Sequence, residues 1–325
     1  MNAPLPPSAG ARNRLQVRLQ SVAWATRDIQ VFEFVSPSGA TLPPATPGAH
    51  VDVHLGNGIT RSYSLLHAEA APQRYLVGVK RDPNSRGGSR YMHEQLRVGA
   101  LLELSGPRNH FPLLENAAHT VLIAGGIGIT PILCMAERLD ALGASFELWY
   151  AGRAQADLAF LPALARFGTR VHLHADEDAA AVLDLAAIVA AAPAGSHFYC
   201  CGPAPMLAAY EAATAARPPG TVHLERFGAS QPPASGGDGF VVQLARRGVE
   251  LRVPAGATIL QVLQENGVAV DSSCEAGICG CCEVAVLEGE VDHRDDVLTA
   301  SQRAANTSMM VCCSRAKSER LVLDL

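Results

Sequence analysis

Four cysteines toward the C-terminal end, Cys274, Cys279, Cys282 and Cys312, constrain this chain more than any other feature. The first three form Cys-x4-Cys-x2-Cys, and 29 residues separate Cys282 from Cys312. Two irons bridged by two sulfides need four thiolates, and one loop wrapped around such a cluster can supply three of them. Gly277 and Gly280 lie inside that loop, where the missing Cβ relieves a tight wrap and their exposed N–H groups can donate to sulfur. The fourth ligand is expected from a distant strand. The spacing is that of a plant-type [2Fe–2S] centre, whereas the competing structural zinc site prefers paired Cys-x2–4-Cys knuckles. Cys281 and Cys313 stand beside ligand positions but out of register, and read as bystanders that would compete if a neighbour were replaced. Cys134 falls in a helical pattern and reads as a small core residue.

The remaining composition narrows the class. Nine cysteines, an odd total with adjacent pairs and six of them in the last 52 residues, fit a secreted disulfide scaffold poorly. Reduced thiols in the cytosol, some committed to a metal, are the better reading, so a cytoplasmic location is expected. A chain of 325 residues suits two or three domains. No Lys/Arg-rich block stands out, so no nucleic-acid partner is expected. No apolar run is long enough to span a bilayer, so no membrane association is expected either. Residues 1–14 are rich in Pro, Ala and Ser without the apolar core of a signal peptide, and read as a disordered tail.

Hydrophobic patterning divides the rest. Residues 15–113 read as short strands, among them Leu15–Leu19, Phe32–Val35 and Ala49–Leu55, punctuated by Pro43, Pro44, Pro47, Gly48, Gly56 and Gly58. That spacing suggests an antiparallel β-barrel. Residues 114–228 alternate strand, turn and helix: strands at Thr120–Ala124, Phe146–Tyr150, Val171–His174 and His197–Cys201, and a helix at Pro131–Leu142 stopped by Gly143. That alternation predicts an α/β domain with a doubly wound parallel sheet. Residues 229–238 have linker composition, and 239–325 form the cysteine-bearing domain. It opens with a hairpin, Phe240–Leu244 and Val249–Val253, followed by a helix Ile259–Asn266 capped by Thr258 and ended by Gly267.

Four further segments carry chemistry. Arg61-Ser62-Tyr63-Ser64 ends a barrel strand and resembles the Arg-x-Tyr-Ser pattern of ferredoxin–NADP reductase-type flavoproteins, which implies that Arg61 can pair with a flavin phosphate, Tyr63 pack on the isoalloxazine and Ser64 bond to the ring. Lys80-Arg81 and Arg86-Gly87-Gly88-Ser89, opening a helix from Ser89 to Leu96, form a second anion-binding segment. Gly125-Gly126-Ile127-Gly128-Ile129-Thr130-Pro131 lies between an apolar strand and a helix. Its glycines admit a pyrophosphate, Thr130 is placed to cap the helix, and Pro131 suits the first turn. It is not the Gly-x-Gly-x-x-Gly fingerprint of ordinary Rossmann dehydrogenases. Cys200-Cys201-Gly202-Pro203 ends a later strand, where open α/β sheets bind ligands.

Taken together these motifs resemble the phthalate dioxygenase reductase family, close to vanillate O-demethylase reductases, from about Leu15 to Leu325. The resemblance also covers Val79-Lys80-Arg81, Glu225-Arg226-Phe227-Gly228 and the stretch Cys312-Cys313-Ser314-Arg315-Ala316-Lys317-Ser318-Glu319. One departure is Cys281. The resemblance implies an FMN-binding β-barrel, an NADH-binding α/β domain and an α+β (β-grasp) plant-type ferredoxin domain. It implies that Arg61, Tyr63 and Ser64 bind FMN, with Lys80, Gly87, Gly88 and Ser89 near its phosphate. Phe227 then covers the flavin face, Gly126, Gly128 and Thr130 form the NADH turn, and Cys201 lies beside the reacting nicotinamide carbon. Asp176 is placed to accept from the adenosine ribose, favouring NADH, although Arg153 nearby suits a 2′-phosphate. The implied partner is a Rieske-type oxygenase. Plant-type centres lie near about −400 mV and Rieske centres at roughly −150 to +300 mV, so electrons would run downhill to it. The competing readings are an electron-transfer subunit of another flavin dehydrogenase complex and a non-enzymatic redox sensor.

Overall fold

In the computed structural model, which describes residues 14–83, 85, 87–228 and 239–325, one compact unit ends at Phe227 and a second begins at Gly228. The expected linker 229–238, Arg86 and the tail up to residue 13 lie outside the described residues. Arg14, expected in the tail, is instead the first residue of a strand, and its guanidinium pairs with Glu103 at 2.5 Å.

The first unit opens with β1 (Arg14–Thr26), β2 (Ile29–Val35), β3 (His50–His54), β4 (Thr60–Ser64), β5 (Arg74–Lys80), a short helix α1 (Gly88–Glu94) and β6 (Leu101–Arg108). These strands form an antiparallel sheet in the order β4-β3-β6-β1-β2-β5. Leu65, directly after β4, bridges to Val77 of β5, so the two ends of the sheet meet and it closes as the expected barrel. Closure removes the open edges and buries alternate side chains, among them Val17, Phe32, Phe34, Val53 and Leu104.

The same unit continues with β7 (Thr120–Gly125), α2 (Ile129–Ala141), β8 (Phe146–Gly152), α3 (Leu161–Leu164), β9 (Val171–Ala175), α4 (Asp176–Ala179), α5 (Leu185–Ala191), β10 (His197–Cys201), α6 (Ala204–Thr214) and β11 (Val222–Glu225). All five strands are parallel, in the order β11-β10-β7-β8-β9. The chain winds outward from β7 through β8 to β9, then returns to the other side of β7 as β10. The order therefore reverses between β7 and β10, the position where such sheets bind ligands at their C-terminal ends. β7 is buried throughout, as a central parallel strand covered on both faces must be.

The second unit contains β12 (Phe240–Leu244), β13 (Val249–Val253), α7 (Ile259–Glu265), β14 (Glu283–Glu288), β15 (Val291–Asp292), α8 (Ala300–Ala305), β16 (Ser308–Met310), β17 (Arg315–Ala316) and β18 (Arg320–Leu323). Its mixed sheet runs β13-β12-β18-β14-β16, with β12 and β18 parallel at the centre and antiparallel pairs outside them. Thr258 and Gln261 make a reciprocal capping box at the start of α7, whose Ile259, Leu260 and Leu263 enter the core beside Val242, Met309 and Leu321. This is the β-grasp arrangement of a ferredoxin domain. Among the described residues no helix is long and apolar enough to cross a membrane.

Candidate functional site: a nucleotide crevice and a four-cysteine centre

β4 presents Arg61 and Tyr63 on one face, because side chains alternate along a strand. Tyr63 packs against the barrel core, and burial pushes its phenol well above the ordinary range. A Cβ on Gly88 would lie 2.6 Å from Arg61 Cγ, so the bare glycine leaves the space that the Arg61 stem occupies. α1 is fastened to the barrel by His93, whose Nε2–H donates to the Val79 carbonyl at 2.9 Å. Lys80, the next residue of β5, is exposed at that same end. Ser89 Oγ accepts from the Asp82 N–H at 3.2 Å, and the helix itself starts at Gly88 rather than at Ser89. Arg61, Lys80, Gly87, Gly88 and Ser89 thus come from three elements that the barrel holds together.

In the α/β part, a short 3-10 turn at Gly126–Gly128 joins β7 to α2. Tyr150 holds it, donating from its hydroxyl to the Gly126 carbonyl at 3.2 Å. Gly128 lies against the backbone of Cys201 and Gly202, with no space for a Cβ between them. The strand-end segments of β7 and β10 are therefore in direct contact at the point where the strand order reverses. Thr130 does not cap the helix as expected. Its hydroxyl donates back to the Ile127 carbonyl at 3.0 Å, Gly128 holds the cap position, and the Thr130 methyl faces Gly78 of the barrel. Asp176 starts α4 beyond the outer strand β9 and pairs with His174 Nε2 at 3.3 Å. Phe227 follows β11 and is 42% exposed, a large apolar side chain open to a ligand.

One residue of the site had no role from sequence. Glu225 ends β11 opposite Cys201 in the parallel register, and its Oε2 lies 4.0 Å from Cys201 Sγ and 3.4 Å from Ser64 Oγ. Burial pushes its carboxyl up to about 8, against a smaller downward pull from the Ser64 hydroxyl. Cys201 is likewise held as a neutral thiol, first by burial and then by the neighbouring Glu225. Strand pairing sets Glu225 beside Cys201, and the packing of the barrel on the sheet brings Ser64 to it; the local signal was the polar residue closing β11 two positions before Phe227.

In the second unit, Cys274, Cys279, Cys282 and Cys312 are all buried. Cys274 contacts Cys279 and Cys312, and Cys312 also contacts Cys282, so four sulfurs from two segments meet. The contacts with Cys279 and Cys312 pull Cys274 far below the ordinary thiol range, and those with Cys274, then Cys282 and Cys313, push Cys312 far above it. The segments are tied by the Val311 N–H, which donates to the Cys282 carbonyl at 3.2 Å. Cys312 lies in the turn just after β16 rather than within a strand. Gly277 and Gly280 have φ of 70° and 71°, which an L side chain adopts only with strain. A Cβ on Gly277 would also meet Cys313 Sγ at 2.5 Å. The N–H groups of Ala276 and Ile278, on either side of Gly277, donate to Cys274 Sγ, each at 3.4 Å, where the glycine N–H groups were expected to. Four converging buried thiols, with backbone donors already aimed at one of them, fit a [2Fe–2S] cluster held by four thiolates.

A flavin-type barrel, a parallel nucleotide-binding sheet and a four-thiol ferredoxin domain on one chain define a pyridine-nucleotide-dependent iron–sulfur reductase. Residues 242–317 match the family of 2Fe-2S iron-sulfur cluster binding domains. Phenoxybenzoate dioxygenase subunit beta of Ectopseudomonas oleovorans is 53% identical, over 96% of this chain and 97% of its own. Tetrachlorobenzoquinone reductase of Sphingobium chlorophenolicum is 49% identical, over 96% and 98%. Vanillate O-demethylase oxidoreductase of a Pseudomonas species is 44% identical, over 96% and 100%. Among solved structures, phthalate dioxygenase reductase superposes with a TM-score of 0.73 at 42% identity, covering 96% of this chain and 98% of that one. An intact type IV self-sufficient cytochrome P450 monooxygenase gives 0.88 at 41% identity, but this chain spans only 41% of that protein. The chain belongs to the phthalate dioxygenase reductase family.

Proposed function

We propose that the chain is the reductase component of a two-component, Rieske-type aromatic oxygenase or O-demethylase, working in the cytoplasm with NADH, FMN and a [2Fe–2S] cluster. The observation that carries the reading is the Ser64–Glu225–Cys201 crevice on the same chain as the four-cysteine centre. Relatives named for dioxygenase and O-demethylase systems, matched along nearly their whole length, support the partner. When bound, the flavin accepts electrons as a pair and the cluster carries them singly.

The chain's own residues supply positioning and electrostatics, which is what such a transfer asks of a protein. Arg61, seated against Gly88, offers a bidentate donor to the flavin phosphate, with Lys80 as a second cation. Tyr63 gives the ring an apolar wall. Ser64 holds its hydroxyl at the junction of barrel and sheet, and Cys201, on the same carboxyl, would lie beside the nicotinamide. Phe227 would cover the flavin face, and Gly126, Gly128 and Thr130 would line the pyrophosphate site. Glu225, raised to about 8, would be largely protonated at pH 7 and would keep a negative charge away from the bound cofactors. Asp176, partly exposed beyond β9, meets the adenosine ribose.

The test is NADH-dependent reduction of a purified Rieske oxygenase by the full chain, followed by the oxygenase's visible spectrum. Rapid reduction supports the reading, and no reduction of any oxygenase encoded beside this chain overturns it. A second reading is a quinone reductase needing no oxygenase, favoured by the 49% identical relative of that name. Steady NADH-dependent reduction of a chlorinated benzoquinone that survives Cys274→Ser would support it.

A further inference from the structure

We propose that Cys281 donates a hydrogen bond to the sulfur of Cys279 and thereby raises the reduction potential of the [2Fe–2S] centre. The two Sγ atoms lie 3.2 Å apart, and each side chain is only 3% exposed. Cys281 belongs with Cys274 and Cys279 to a small apolar cluster closed by Ala276 and Ile278, so water does not compete for the thiol proton. An iron-bound Cys279 is a thiolate and has no proton to give, which leaves the Cys281 S–H as the donor of this pair. The Cys279 carbonyl, another acceptor near the same thiol, is farther away at 3.9 Å. Cys274 receives backbone N–H groups from Ala276 and Ile278, so Cys281 gives Cys279 a donor of the same kind from a side chain.

The direction follows from charge. Reduction adds an electron to a centre already held by four thiolates, and a donor aimed at a ligand sulfur favours the more negative state. Cys281 is thus a positioning residue that sets how readily the cluster accepts an electron, while taking no iron itself.

The inference rests on Cys279 as an iron ligand, and iron and sulfide analysis of the parent protein checks that assignment separately. The experiment is an anaerobic redox titration of the full chain, followed by electron paramagnetic resonance of the reduced cluster. Cys281→Ala and Cys281→Val remove the donor, whereas Cys281→Ser keeps one. The Ala and Val proteins are expected to retain two irons and two sulfides and to titrate at a more negative potential. At a fixed poise the reduced-to-oxidised ratio should fall roughly tenfold, about 59 mV for a one-electron couple. Cys281→Ser should stay near the parent. Equal potentials for parent, Ala and Val would overturn the proposal, as would a positive shift. Failure of both non-donor variants to assemble a cluster that Ser retains would overturn it too, by making Cys281 an assembly residue.

Discussion

The Ser64 hydroxyl donates to Glu225 Oε2 across 3.4 Å, joining the end of barrel strand β4 to the end of sheet strand β11. Because Cys201 Sγ approaches the same oxygen, one carboxyl sits between a barrel residue and a residue of the parallel sheet. Its protonation is therefore a property of the assembled crevice and not of either half.

That yields a pH prediction. The carboxyl is raised from an ordinary value of 4.5 to about 8, so between those values the native protein holds a proton that the unfolded chain releases. Glu225 therefore contributes stability that is fully present below about 4.5 and lost as pH rises through about 8. Melting temperature measured across that window should fall with pH in the parent, and Glu225→Gln should flatten this part of the decline. A Gln variant whose profile matches the parent's would show the carboxyl already ionised at neutral pH.

Close backbone approach gives a second. Gly128 touches the Cys201–Gly202 backbone, and backbone cannot step aside as a flexible side chain can. Gly128→Ala should cost about 1–3 kcal/mol of stability, read by denaturant melting, and weaken NADH binding. Gly143→Ala, at an open position where only its φ of 65° is strained, should leave NADH affinity unchanged.

The flavin site gives a third. Gly88→Ala pushes into the Arg61 stem and should raise the FMN dissociation constant roughly tenfold, about 1.4 kcal/mol, in a fluorescence titration. Cofactor released by heat should run as FMN on chromatography. Stoichiometric FAD would mean that the Arg61–Gly88 end does not receive a terminal phosphate.

What the sequence disclosed was local. The strand His197–Cys201, the hairpin Phe240–Leu244 with Val249–Val253, and the Thr258 cap lie where pattern and capping chemistry place them. The convergence of Cys274, Cys279, Cys282 and Cys312 was legible because one loop supplies three of them. The Ser64–Glu225 contact was not, since 161 positions separate the two residues and only the closed barrel packed on the sheet brings them together. Thr130 was misread for a related reason: the 3-10 turn at Gly126–Gly128 supplies the first bonds of α2, so the hydroxyl turns back to Ile127. Barrel closure through Leu65 and Val77 likewise has no sequence signal of its own.

Cluster removal gives a fourth prediction. Cys274 contacts two of the other three ligand candidates, so Cys274→Ser takes a thiol from the middle of the four-sulfur group. The variant should lose ferredoxin-type visible absorption together with its iron and sulfide, and keep its flavin. Two irons and two sulfides retained in that variant would rule Cys274 out as a ligand.

The two compact units give the last. Residues up to Phe227 bury barrel and sheet cores that do not draw on the ferredoxin core, whose members all lie between Phe240 and Leu325. A chain cut after Ser230 should therefore fold and hold FMN. It should still oxidise NADH with ferricyanide, because Ser64, Cys201 and Glu225 all remain. It should lose transfer to cytochrome c and to an oxygenase, because the four ligand cysteines are gone. Measuring both activities on one preparation separates this outcome from misfolding, which abolishes both. If the truncated chain reduced its oxygenase at the full-length rate, electrons would be leaving directly from the flavin, and the order nicotinamide, flavin, cluster, partner would be wrong.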